Sequence, residues 1–134
     1  MEEPYACHLQ GAKRILRYIK GTLIEGIFYA NIKVVKLVGY TDSDWVGDVE
    51  TRKSMSGYTF HLGTGAISWS SKKQPVVALS TAEAEYMAVT SCATQTVWLR
   101  KMLEVMHQKQ DTPIVIFCDN KSAIALCKNP VFHG

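Results

Sequence analysis

This chain predicts an α/β fold, a mixed β-sheet flanked by helices, from three observations. Ile114 to Cys118 form an unbroken apolar run of strand length, as expected of a strand covered on both faces. Between residues 34 and 71, short β-favouring runs alternate with turn residues, which is the patterning of hairpins. From Glu85 onward Val89, Cys92, Thr96, Leu99, Leu103 and Met106 recur at spacings of three and four, the mostly apolar stripe of a long helix. The expected sheet has at least four strands: a three-strand antiparallel meander, and a last strand parallel to the first. The long helix carries the crossover, which should be right-handed.

Taken in order, a first helix near residues 4–20 ends at Gly21. A strand or a loop follows around 26–31, then strands at 34–42, 54–62 and 66–71, the last two joined tightly through Gly63-Thr64-Gly65. Ser80-Thr81-Ala82-Glu83 reads as a capping box, with Ser80 as N-cap and Glu83 folding back onto its N–H, opening a helix over about 81–107. A strand at 114–118 and a short helix at 120–128, stopped before Asn129-Pro130, complete the pattern. The organisation is a helix and connection over 1–33 and one folded domain over 34–134. At 134 residues, 47% apolar and 20% charged, the composition is that of an ordinary globular domain. A net charge of +3 permits a polyanionic partner without implying one.

Three acids stand where an apolar element begins or ends. Asp42 closes the run Leu37 to Thr41, Asp119 closes the run Ile114 to Cys118, and Glu85 heads the stripe of the long helix. Glu83 lies about 200° round the helix from Glu85 and already has a capping task. A carboxylate in line with a buried face is costly unless it has a partner, which favours a ligand role for Glu85. Each acid alone could be a turn former or a first-turn helix acid. Together, at strand ends and a helix start, they suggest one site that gathers oxygen ligands for hard divalent ions such as Mg²⁺. Asp44 is the runner-up to Asp42, because residues two apart on an extended chain face the same way.

The segments Gly39-Tyr40-Thr41-Asp42-Ser43-Asp44-Trp45, Ser54-Met55-Ser56-Gly57-Tyr58, Ile67-Ser68-Trp69-Ser70-Ser71-Lys72-Lys73-Gln74, Ser80-Thr81-Ala82-Glu83-Ala84-Glu85-Tyr86 and Cys118-Asp119-Asn120-Lys121-Ser122-Ala123 resemble, in order, the ribonuclease H domain of copia-type retrotransposon polyproteins. The stretch Ala12 to Thr22 resembles the segment that joins reverse transcriptase to ribonuclease H there. The resemblance implies a ribonuclease H-like fold and hydrolysis of the RNA strand of an RNA–DNA hybrid, with two Mg²⁺ or Mn²⁺ ions. It implies Asp42, Glu85 and Asp119 as catalytic and metal-holding acids. Family members carry a further strand and helix and a fourth acid, whereas this sequence has no Asp or Glu after Asp119. A C-terminal truncation and impaired cleavage are therefore expected.

Lys13, Arg14, Arg17 and Lys20 cluster on a helix whose other side carries Leu9, Ala12, Ile15, Leu16 and Ile19. Such a helix can dock by its apolar face and offer a basic strip to phosphates, or simply be solvated there. Lys72 and Lys73 offer a second basic spot, Trp45 an aromatic ring for stacking, and Asn120 completes the candidate nucleic-acid contacts. Tyr58, Phe60 and Trp69 are expected to pack under the helices. Cys7, Cys92, Cys118 and Cys127 show no paired short spacing, and Cys92 and Cys118 read as small core residues. Without an apolar run near 18 residues or a signal-peptide pattern, the expectation is an intracellular protein with no membrane partner. The competing reading is a catalytically inactive remnant that binds nucleic acid or protein, including a dimer through an exposed sheet edge.

Overall fold

The computed structural model describes residues 5–31, 35–48 and 50–129. Seven elements follow one another: α1 (Ala6–Gly21), β1 (Leu37–Asp44), β2 (Met55–Leu62), β3 (Gly65–Lys73), α2 (Thr81–Val105), β4 (Val115–Phe117) and α3 (Lys121–Lys128). The sheet order is β3-β2-β1-β4, with β1–β2 and β2–β3 antiparallel and β1–β4 parallel. The expected meander and parallel fourth strand are both present. Around 26–31 there is no strand. That segment meets the tip of the β2–β3 hairpin through Tyr29 Oη donating to Ala66 O at 2.6 Å and Ala30 N–H to Thr64 Oγ1 at 3.1 Å, not through a ladder.

Alternation along β1 sorts the sheet into two faces. Leu37, Gly39 and Thr41 point inward and are buried, opposite Leu62, Phe60 and Tyr58 of β2. The helix α2 covers this face with Ala84, Ala88, Cys92, Leu99 and Leu103. Leu37, Phe60, Cys92, Leu99 and Leu103 form the core, and Tyr58, Leu62, Ile67, Ile114 and Ile116 pack around it. Small residues at 84, 88 and 92 let the helix lie close to the sheet, and Gly39 completes that fit. A Cβ on Gly39 would stand 2.9 Å from Phe60 Cε1 and 3.4 Å from both Cys92 Sγ and Ile116 Cγ1. Gly39→Ala should therefore overpack the core and cost about 1–3 kcal/mol. A urea midpoint unchanged by the substitution would show that the core yields there.

One aromatic departs from expectation. Phe60 is buried and Tyr58 partly so, but Trp69 is 69% exposed. The cause is a β-bulge: the β2–β3 register runs Phe60↔Ser68 and then His61↔Ala66, leaving Ile67 as an extra residue. A bulge breaks the period of two. Ile67 packs on the core while Trp69, paired with Thr59, turns to the outer face.

Buried polar side chains tie the ends of the sheet to the helix. Gln110 accepts from Leu37 N–H at 3.0 Å and donates to Val35 O at 3.1 Å, satisfying the entry to β1. Gln74, just past β3, donates to Ser56 Oγ at 2.8 Å and to Ala84 O at 2.9 Å, which fixes the first turn of α2 against β2. Ser80 caps α2 by accepting from Glu83 N–H at 3.1 Å, as the sequence suggests. Glu83 reaches back to Leu79 N–H at 2.7 Å, one residue earlier than a capping box requires. The helix α1 buries none of its residues. Its predicted apolar docking face is open.

Candidate metal centre

The parallel pairing of β1 with β4 brings the carboxyl ends of the two strands side by side, with Val38↔Val115 and Tyr40↔Phe117 in register. Two residues beyond Tyr40 and Phe117 lie Asp42 and Asp119, which with Tyr40, Thr41, Phe117 and Cys118 line one cleft of about 390 Å³. From beneath, the first turns of α2 deliver Glu85, buried at 6% exposure. Potential ligand atoms of Glu85, Cys118 and Asp119 all lie within 4.8 Å of one another.

A single backbone amide organises the acids. Ser43 N–H donates to Asp42 Oδ1 at 2.8 Å and to Glu85 Oε1 at 3.1 Å, joining the end of β1 to the start of α2. The second carboxylate oxygen of Glu85 accepts a weak hydrogen bond from the Cys118 thiol at 3.9 Å. Burial, then the neighbouring Asp42 charge, push the Glu85 carboxyl above its ordinary value. The Ser43 amide pulls it down, and Asp119 adds to the upward push. Among the described residues Lys73 forms a salt bridge with Asp48, so that ammonium is paired outside the acidic cluster.

Three carboxylates converging with no ammonium or guanidinium paired to them among the described residues fit a divalent cation, whose charge would relieve the repulsion. Glu85, Cys118 and Asp119 can hold such an ion, with Asp42 beside them. Cys118 is the residue that sequence reasoning missed. It was assigned to the core, yet its place one residue after the strand and directly before Asp119 turns its sulfur toward Glu85. Burial raises its thiol pKa first, and an N–H from Asn120 opposes the shift.

The other candidates fall in several places. Asp44 shares the outer face with Asp42 but lies over its own loop, where a Cβ on Gly47 would meet its Oδ2 at 2.5 Å. It does not join the cluster. Trp45 is about half exposed and donates its indole N–H to Ala78 O at 3.4 Å. Asn120 caps α3 by accepting from Ala123 N–H at 3.0 Å. Lys73 pairs with Asp48, and that ammonium, followed by the Thr51 hydroxyl, holds the Asp48 carboxyl well below the usual range. Lys72 is exposed on β3, and Lys13, Arg14, Arg17 and Lys20 are exposed on α1.

No protein-family model matches the chain, and no solved structure matches it. The whole chain is 44% identical over 134 residues to the retrovirus-related Pol polyprotein from transposon RE1 of Arabidopsis thaliana, covering 9% of that protein. It is also 44% identical over 136 residues to the corresponding polyprotein from transposon TNT 1-94 of Nicotiana tabacum, covering 10% of it. The chain thus spans about a tenth of the length of these relatives. Over 97 residues it is 50% identical to secreted RxLR effector protein 161 of Plasmopara viticola, an alignment that covers 72% of the chain and 68% of the effector. With all of its length matched in the transposon proteins, the chain is similar to one region of retrovirus-related Pol polyproteins, which supports an origin in a retrotransposon polyprotein.

Proposed function

We propose that this region is a metal-dependent ribonuclease H, hydrolysing the RNA strand of RNA–DNA hybrids. The observation that carries the reading is the meeting of Asp42, Glu85 and Asp119 at the carboxyl ends of the parallel pair β1–β4, where α/β sheets build their sites. The three carboxylates would hold Mg²⁺ or Mn²⁺, which supplies Lewis acidity to a scissile phosphate and its attacking water. The Ser43 amide keeps Glu85 and Asp42 in place before any ion arrives. Lys72 and the basic side chains of α1 would contact phosphates without regard to sequence. Trp45 and Asn120, near the same end of the sheet, would add further contacts. A hybrid is read by backbone shape and the 2′-hydroxyl, which suits a shallow cleft better than a deep pocket.

A second reading, hybrid binding without hydrolysis, is favoured by one observation: the ligand atoms that all lie within 4.8 Å of one another come from Glu85, Asp119 and the thiol of Cys118, and not from Asp42. With Asp42 beside that group and a thiol within it, a second ion would lean on water and substrate oxygens. Mg²⁺ demands near-ideal octahedral geometry, so cleavage should be slow and run mainly with Mn²⁺. A labelled hybrid duplex, incubated with the 134-residue chain and Mg²⁺, Mn²⁺ or chelator, separates the two readings. Binding with no cleavage under either ion would leave only the second.

A further inference from the structure

We infer that Gln74 is a positioning residue for the metal centre: from inside the protein it holds Glu85 against the repulsion of Asp42 and Asp119. The inference rests on the metal reading of those three acids and names what keeps them assembled. Glu85 needs such a hold. It is buried with the charges of Asp42 and Asp119 nearby, and ionised carboxylates accept hydrogen bonds but have none to give one another. What draws its side chain in is Ser43 N–H at 3.1 Å. That contact lasts only while the end of β1 and the first turns of α2 stay together.

Gln74 grips both sides of it. Its side-chain amide donates to Ala84 O at 2.9 Å and to Ser56 Oγ at 2.8 Å. The Ala84 carbonyl belongs to the planar peptide unit whose nitrogen is that of Glu85, so the first bond fixes the backbone from which Glu85 springs. Ser56 is the register partner of Ser43 in the β1–β2 ladder. Each lies two positions along from the inward-facing pair Thr41 and Tyr58, hence on the side of the sheet that α2 covers. The contacts close a ring from Gln74 through Glu85, Ser43 and Ser56 back to Gln74. The glutamine is itself anchored, its backbone N–H donating to Ser54 O at 2.8 Å.

Two features separate this residue from a filler of the core. Only 3% of it is exposed, too little to meet a substrate, so it acts through Glu85. Among the described residues its Oε1 is buried without a hydrogen-bond partner, a cost that an apolar side chain in the same place would not carry. Gln110 supplies a comparison within the same fold. It is buried as well, accepting from Leu37 N–H at 3.0 Å and donating to Val35 O at 3.1 Å, but it does so at the opposite end of β1 from Asp42.

Gln74→Met keeps the bulk and removes both donors, and Gln110→Met does the same at the far end of β1 as a control for lost stability. In the metal-free chain, hydrogen exchange followed by NMR should show Ser43 N–H exchanging about 10-fold faster in Gln74→Met, relative to the amides of β2. Gln110→Met should leave that ratio as it is in the parent. Titration with Mn²⁺, followed by the paramagnetic resonance of the free ion, should give a dissociation constant raised about 10-fold in Gln74→Met. The control should bind the ion as the parent does. A residue that served stability alone would move neither reading in folded protein. If Gln74→Met does not fold, Ser56→Ala, which frees Gln74 from β2, must show both changes in its place. Ser43 exchange equal to that of the parent, or accelerated alike by both glutamine variants, overturns the inference. So does an unchanged affinity where the parent binds Mn²⁺. A parent that binds no Mn²⁺ removes the metal reading instead, and the Ser43 amide then decides alone whether Gln74 holds Glu85.

Discussion

Asp42→Asn, Glu85→Gln and Asp119→Asn should each lower Mn²⁺-dependent cleavage of a hybrid by about two to three powers of ten, with hybrid binding changed only a few-fold. Each substitution removes one anionic oxygen from the set proposed to hold the ion. Loss of several kcal/mol of transition-state charge stabilisation corresponds to that factor in rate. Binding survives because the proposed phosphate contacts are made by other side chains, Lys72 and the basic residues of α1. Asp44→Asn is the informative control. Its carboxylate rests over Gly47 and stands outside the cluster, so this variant should cleave at nearly the rate of the parent. Initial rates on labelled hybrid, paired with anisotropy titrations in chelator, measure both quantities. Activity lost in Asp44→Asn and kept in Asp42→Asn would exchange the two assignments.

Metal-free protein should be less stable at pH 8 than at a pH near the ordinary glutamate value of 4.5, and Mn²⁺ should reverse the trend. Glu85 has its folded pKa raised above the 4.5 of an unperturbed glutamate, first by burial and then by Asp42. Between those two values the folded state holds a proton that the unfolded state has released. Stability is then fully present below the unfolded value and is lost as pH climbs through the folded one. Glu85→Gln should flatten this slope in chelator and make the metal-free protein the more stable of the two at pH 8. At a free concentration one hundred times its dissociation constant, Mn²⁺ adds about 2.7 kcal/mol to the parent. The same addition should do little for Asp119→Asn. Urea midpoints at both pH values, with chelator and with Mn²⁺, give all of these comparisons. Equal metal stabilisation of the parent and of Asp119→Asn would remove the ion from this site.

Most of this architecture could be read in the sequence, because the patterns that specify it are local. The apolar run before Asp119, the stripe behind Glu85 and the Gly63-Thr64-Gly65 turn each name an element without reference to the others. The position of Glu85 was legible for a different reason: a carboxylate on an apolar stripe contradicts its surroundings and asks for a partner. The misses came from tertiary detail. No residue near Ile67 announces the bulge, and one extra residue was enough to send Trp69 to the opposite face. Cys118 looked like core because its strand is apolar, and its closeness to Glu85 exists only once α2 has crossed back under β4. Asp42 and Asp44 share a face, so only the fold of the loop onto Gly47 separates them.

The parallel pairing of β1 with β4 also sets an order of events for the chain. Residues 38 and 115 must meet before Asp119 stands beside Asp42, whereas β1, β2 and β3 join through neighbours in sequence. Closing the longer loop carries the larger entropic cost, which places that contact late on the route to the native state. A divalent ion held by these acids would then find its full set of ligands only after the slow step has passed. It would act as a lock on an assembled protein and not as a seed for assembly. In kinetic terms Mn²⁺ should slow unfolding and leave the refolding rate nearly unchanged, a difference that the two arms of a denaturant chevron report separately.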